Sequence, residues 1–266
     1  MADSVYKSKN LSNEQLQFLK KLEEEEILYF NMVDIESELG VSYSNLNEIL
    51  ENLTDKEVLF RLEKGKYCRS NFTGPEALAG FISNGGVISF WSALHKHNLT
   101  DRFPNKLFVK THYRKRNTKI LGTTVQFVYT KPEKQVGAMQ MGYGQNSYQL
   151  TDTEATILDC FDQPRYAGDW PDLLKAFKLA ELNAQKMIEY SRSYGNKSVI
   201  KRLGYLAELL NKSSLQNFID FALTQTGKRY VLFEPGGEEK GPFVSRWKLR
   251  LNNEEKVILN AIQTPY

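Results

Sequence analysis

Cysteine and histidine are scarce in this chain of 266 residues: two of the former, Cys68 and Cys160, and three of the latter. Two thiols cannot build a disulfide framework or a four-cysteine zinc site, so reduced thiols are expected. The histidines are His95, His97 and His112. On a helix, positions two apart point about 200° apart around the axis, so His95 and His97 do not face one metal ion. No apolar run reaches the ~18 residues of a membrane helix, which excludes a spanning segment of that kind. Residues 1–10 are polar and lack the apolar stretch of a signal peptide. A cytoplasmic protein with no membrane partner is the expectation. No internal repeat and no low-complexity tract is visible.

Signs of catalysis are equally thin. The segment from Gly137 through Gly142 to Gly144 has neither the GxGxxG spacing nor the GK[ST] ending of a phosphate loop, and reads as a hairpin turn or bulge. Cys160 sits in the apolar helix segment around Ile157 and Phe161, with no charged activator spaced to reach it, and reads as a buried, inert thiol. Asp152, Glu154 and Asp159 cluster at a helix start, where the helix dipole favours negative charge. No catalytic residue, metal or cofactor is assigned, and the chain is not expected to be an enzyme.

What is present is ordinary in amount and uneven in distribution. With 41% hydrophobic and 25% charged residues, the chain has the make-up of a globular protein of one large or two smaller domains. The net charge of +3 is an average over unlike parts. Residues 1–70 hold 9 Lys and Arg against 14 Asp and Glu, a net of −5. Residues 71–150 hold 10 against 3, a net of +7, and the remainder 16 against 15, a net of +1. A strongly basic middle points to an anionic partner.

The pattern along the chain predicts a helix over 11–26, with Ser12 and Gln15 at capping-box spacing and Leu16, Leu19 and Leu22 on its apolar side. A strand over 27–30 and a helix over 32–39 ended by Gly40 follow. Ser42 is expected to cap a helix over 43–55, whose Leu46, Ile49, Leu50 and Leu53 fall at i, i+3, i+4, i+7. Strands over 58–62 and 67–69 are joined by Glu63-Lys64-Gly65-Lys66. Helix, strand, helix, turn, helix, hairpin is the order of a winged helix-turn-helix. The remainder predicts helices over 75–83, 87–97, 153–161, 170–178, 181–192, 197–211 and 213–224. Strands are expected over 107–110, 123–129, 147–150, 230–233 and 243–251. Strands and helices segregate, so the fold class is α+β: a winged helix-turn-helix over 1–71 and a mixed α+β domain over 72–266.

In a helix-turn-helix the start of the second helix reaches base edges. That selects Ser42, Tyr43, Ser44, Asn45 and Asn47; Asn reads adenine, while Ser and Tyr bind phosphate. Glu48 and Glu51 follow them, and the positive charge lies on the hairpin, at Arg61, Lys64, Lys66 and Arg69. The densest basic stretch is Lys110–Lys119, a hairpin tip or exposed loop with Lys110, Arg114, Lys115, Arg116 and Lys119 and no acid. Its cations suit phosphates, with a strong salt dependence. A merely solvated loop is the alternative.

Four blocks carry a family resemblance. Ser89, Trp91-Ser92-Ala93-Leu94-His95, Asn98-Leu99-Thr100-Asp101 and Pro104 resemble a stretch that follows the winged helix in AbiEi antitoxins. Thr151-Asp152, Glu154, Thr156, Asp159-Cys160, Pro164 and Gly168 are similar to the family's second block. Arg202-Leu203-Gly204-Tyr205-Leu206 is similar to its RLGYL helix. Leu232–Pro235, Gly241 and Arg246-Trp247 to Asn252 fit its ending. The likeness spans about 12–260. Ala155 stands where the family usually has Arg, and Asn98 where Gly is common.

This resemblance implies the antitoxin of a type IV toxin–antitoxin system. Such a protein binds double-stranded DNA at its own promoter as an autorepressor and counters an AbiEii-like nucleotidyltransferase toxin, directly or functionally. A role in phage defence is known in the family. For DNA contact the residues selected are Tyr43, Ser44, Asn45, Asn47, Lys64, Lys66, Lys110, Arg114, Lys115, Arg116 and Lys119. The rival reading is a protein-interaction module without sequence-specific DNA binding, acting on an acidic protein partner.

Overall fold

A computed structural model describes residues 10–263 as an α+β protein. The chain divides into two compact units: residues up to Asn84 with Gly142–Ser147, and Gly85–Met141 with the chain from Tyr148 onward.

The first unit runs α1 (Asn13–Glu24), β1 (Tyr29–Asn31), α2 (Ile35–Leu39), α3 (Leu46–Asp55), β2 (Leu59–Glu63), β3 (Lys66–Arg69) and α4 (Pro75–Ile82). Its strands lie in the order β1-β3-β2, antiparallel throughout. Ser12 caps α1 in a complete capping box with Gln15. The buried face of α1 is Gln15, Phe18 and Leu22, whereas Leu16 is half-exposed. Phe18 displaces the leucine stripe because its ring meets both Phe30 and Tyr43 edge-on, at 5.9 and 5.4 Å.

Gly40, at φ +62°, closes α2. Ser42 does not cap α3. The helix begins at Leu46 with Asn45 as cap residue, and the Ser42 hydroxyl and Tyr43 N–H both donate to the Glu36 carboxylate, at 3.3 and 2.6 Å. A carboxylate on α2 thus takes the donors of the turn. Leu46, Ile49, Leu50 and Leu53 all point inward, as their spacing predicts. The unit extends past residue 71 because α4 belongs to it: the Tyr29 ring packs on Phe72 at 5.5 Å and Phe81 at 4.8 Å. Gln145, from the excursion 142–147, accepts the Leu28 and Tyr29 N–H groups at 2.5 and 3.2 Å.

The second unit holds a six-stranded mixed sheet built from β4 (Val87–Ile88), β5 (Leu107–Thr111), β6 (Thr118–Ile120), β7 (Thr123–Tyr129), β8 (Ala138–Met141) and β9 (Tyr148–Thr151). The order is β6-β7-β5-β4-β9-β8, with β5–β7 and β4–β9 parallel. Helices α5 (Phe90–Lys96), α6 (Thr153–Asp162), α7 (Trp170–Leu179), α8 (Ala184–Tyr194), α9 (Lys197–Leu209) and α10 (Gln216–Thr224) follow. A small sheet of β10 (Val231–Leu232), β11 (Phe243–Val244) and β12 (Leu249–Arg250), in the order β10-β12-β11, and α11 (Glu255–Gln263) complete it.

Several expectations change here; the strand expected over 243–251, for one, is two short strands, β11 and β12, paired antiparallel. The helix expected over 87–97 begins only at Phe90, because Val87–Ile88 is a strand between β5 and β9 and Phe90 takes φ +55° at the join. The glycine-rich stretch 137–144 holds β8 rather than a turn alone. Helix α11 is an addition that the sequence reading left out.

Asn98 and Ala155 find physical roles. Asn98, at φ +56°, takes the left-handed conformation that Gly commonly supplies. Ala155 is fully buried under Gly137, where a Cβ would lie 2.6 Å from that of Ala155, so no long side chain has room on that path.

Candidate nucleic-acid interface

In the first unit the start of α3 presents Ser44, Asn45 and Asn47 to solvent. None of the three side chains has a hydrogen-bond partner among the described residues, and Asn45 does not use its own side chain to cap the helix. Their donors and acceptors are free for an outside ligand. Tyr43 differs: its ring is half-buried against Phe18, and burial raises its phenol above the ordinary value. Glu48 and Glu51 are exposed on the same helix. Glu51 lies one turn from Asn47, and Glu48 one turn from Ser44, so the outer face of α3 is acidic beyond its first turn.

On the hairpin, Lys64 sits exposed at the turn beside Gly65, and Arg61 is exposed on β2. Neither is held by a carboxylate among the described residues. Lys66 must be withdrawn from the contact set. Its ammonium donates to Phe81 O at 2.9 Å and Asn84 Oδ1 at 2.8 Å, pairs with Glu63 at 3.3 Å and lies over the Phe81 ring. The strand turns Lys66 inward, onto the C-terminal end of α4, where helix carbonyls attract a cation.

In the second unit Lys110 must also be withdrawn. Strand β5 lies between β4 and β7 and is buried along its whole length. Lys110 is 1% exposed and pairs with Asp159, itself 1% exposed, at 2.7 Å. The Asp159 carboxylate also accepts from Ser89 Oγ at 2.6 Å and Tyr194 OH at 2.5 Å, so every one of its partners comes from the core. Burial, then the Asp159 charge, hold the Tyr194 phenol well above its usual range. Asp159 is therefore the counter-ion of a buried network rather than one of a helix-start cluster; at that start Asp152 alone caps, accepting from Ala155 N.

The rest of the basic stretch stays outside. Residues 112–117 lead from β5 to the edge strand β6, passing β7; this is a crossover, not a hairpin tip. Asn117 anchors its far end by accepting Phe127 N–H at 3.0 Å. Arg114, Arg116 and Lys119 are exposed with no ion-pair partner among the described residues. Lys115 is half-buried, its ammonium 5.5 Å from the centre of the Phe127 ring. The structure thus gathers Arg114, Arg116 and Lys119 at one sheet edge. It also shows exposed Arg61, which the hairpin argument raised but the contact set left out.

The histidines at the end of α5 and the two thiols are packed into the fold. His97 Nε2 lies 2.6 Å from Thr151 O, and the His95 ring packs on Phe103. Both thiols are fully buried; burial pushes Cys68 up to about 11 and Cys160 well above its ordinary value. Among the described residues no group of three or more His, Cys, Asp or Glu is placed to hold a metal ion, and no helix is long and apolar enough to cross a membrane.

No protein-family model and no curated protein matches this chain. Its structure is similar to the crystal structure of the RV2827C protein from Mycobacterium tuberculosis. The TM-score is 0.67 at 14% identity, over 99% of each chain. The α+β fold is therefore shared with a solved protein.

Proposed function

We propose that the chain is a DNA-binding antitoxin whose first unit is a winged helix-turn-helix. The observation that carries the DNA reading is the set of exposed cations without internal counter-ions: Arg114, Arg116 and Lys119 on the second unit, Arg61 and Lys64 on the first. Side chains of this kind neutralise phosphates and release counterions, which gives affinity without sequence preference. Sequence discrimination falls to the free Ser44, Asn45 and Asn47 at the start of α3. The antitoxin role, autorepression at its own promoter, the nucleotidyltransferase toxin as partner, a cytoplasmic setting and the lack of catalysis rest on the AbiEi resemblance. The test is a gel shift of the DNA upstream of its own operon with the full chain, paired with co-expression beside the neighbouring toxin gene. A shift at low salt and rescue of growth are expected; no shift at low salt sinks the DNA reading.

One observation favours the second reading, a protein-interaction module. Glu48 and Glu51 make most of the outer face of α3 repel phosphate. A basic protein segment on that face is the alternative occupant, with the Arg114–Lys119 edge meeting an acidic protein.

A further inference from the structure

Around the small sheet of the second unit lies a cavity of about 470 Å³. Its walls include Arg202 from α9, Arg229 and Tyr230 before β10, Phe243 on β11 and Arg250 on β12. Arg202 is buried, and its Nε and Nη2 both donate to Leu232 O, at 3.0 and 2.9 Å, which fixes the guanidinium plane. Arg250 has its Nε buried without a hydrogen-bond partner, and its guanidinium lies over the Phe243 ring at 5.2 Å. Arg229 stands exposed at the rim. None of the three has a carboxylate partner among the described residues; the one acid in the wall, Glu239, is solvent-exposed.

This is an expensive arrangement. Arg202 is out of water and Arg250 partly so, and a cation so placed requires an anion or a full set of hydrogen bonds. Beside them the buried Lys201 ammonium donates to Arg229 O at 2.6 Å and is held below its ordinary value, first by burial and then by Arg202, Lys197, Arg229 and Lys248. Two cations lining other cavities of the same unit do have carboxylate partners, Arg102 with Asp169 and Asp172 at 3.2 and 3.1 Å, and Lys134 with Asp162 at 2.5 Å. Beside these arginines the wall offers aromatic surface, the Tyr230 and Phe243 rings in edge contact at 4.9 Å.

We propose that this cavity binds a phosphorylated small molecule of nucleotide size, its phosphates on Arg229 and Arg250 and its flat part against the Tyr230–Phe243 pair. Guanidinium forks match phosphate oxygens in pairs, and Arg202 supplies a fixed charge behind them. The volume lies in the usual range for small-ligand sites. The site is independent of the DNA reading, since it uses none of the cations assigned to phosphate backbone.

The test is calorimetric titration of the full chain, at constant ionic strength, with ADP, inorganic pyrophosphate and adenosine. Saturable binding of ADP at one site is expected, with pyrophosphate weaker and adenosine weaker still. R229Q, at the exposed rim, and R250Q should each weaken ADP roughly tenfold, the worth of one charge-assisted contact. F243A should weaken ADP severalfold and leave pyrophosphate unchanged. If R250Q does not fold, R229Q decides alone. Absence of saturable binding for both ADP and pyrophosphate overturns the proposal. So does ADP binding that R229Q leaves untouched, or that duplex DNA displaces.

Discussion

Lys110 Nζ lies 2.7 Å from Asp159 Oδ2 at the centre of the second unit, and Ser89 and Tyr194 complete the carboxylate's shell. A basic residue that begins a cationic stretch is thus a core residue. Removing Asp159's charge strands an ammonium in the interior. D159N is expected to lose about 3–5 kcal/mol of stability by chemical denaturation. Replacing both partners, as K110M with D159L, should cost clearly less than the two single changes together, because no unpaired charge remains. A D159N protein with the wild-type midpoint would refute the buried pair.

Gly204 gives a second stability test. A Cβ there would lie 2.5 Å from the buried Trp247 ring and 2.7 Å from Ala222 Cβ. Although Ala is the better helix former, G204A is expected to destabilise by about 1–3 kcal/mol through overpacking. Thermal unfolding checks the sign; a gain in stability would show that the ring has room to move.

The thiols should be silent in the folded chain. Burial raises Cys68 from its ordinary 9.0 to about 11, and Cys160 further. At pH 8 neither should react with a thiol reagent until the chain is unfolded, when both react. Because the folded value is the higher one, the unfolded thiol loses its proton first. The contribution of Cys68 to stability is therefore full below pH 9 and is lost as the pH rises towards 11. Rapid labelling of native protein contradicts this burial.

On α3, charge and recognition should separate. E48Q with E51Q is expected to raise affinity for duplex DNA about threefold to tenfold, since two repelled charges go. N45A and N47A should each reduce discrimination between operator and mismatched DNA by about 1–3 kcal/mol and leave the salt dependence alone. A loss of binding on neutralising Glu48 and Glu51 would favour the reading in which that face holds a basic protein.

Periodicity made the helices legible: the Leu46–Leu53 stripe and the Ser12–Gln15 cap stand as their spacing requires. What it missed was set by distant partners. Val87–Ile88 reads as helix locally but is a strand because β5 and β9 flank it. Lys66 and Lys110 read as surface cations, yet the groups that draw them inward lie 15 to 49 residues away, at Phe81, Asn84 and Asp159; only the Glu63 partner of Lys66 is local. Spacing within one segment carries no trace of them. The meeting of Arg202 with Arg250 is illegible for the same reason, since only the packing of the small sheet beside α9 brings them to one cavity.

The salt dependence of DNA binding tests the central claim most directly. The affinity of the full chain for its upstream DNA is measured across a range of salt concentrations, beside the R114A/R116A/K119A variant. Loss of three phosphate contacts is expected to weaken binding to all sequences and to lower the slope of log affinity against log salt by about 2–3. An unchanged slope with unchanged affinity would contradict the account and remove that sheet edge from any nucleic-acid interface.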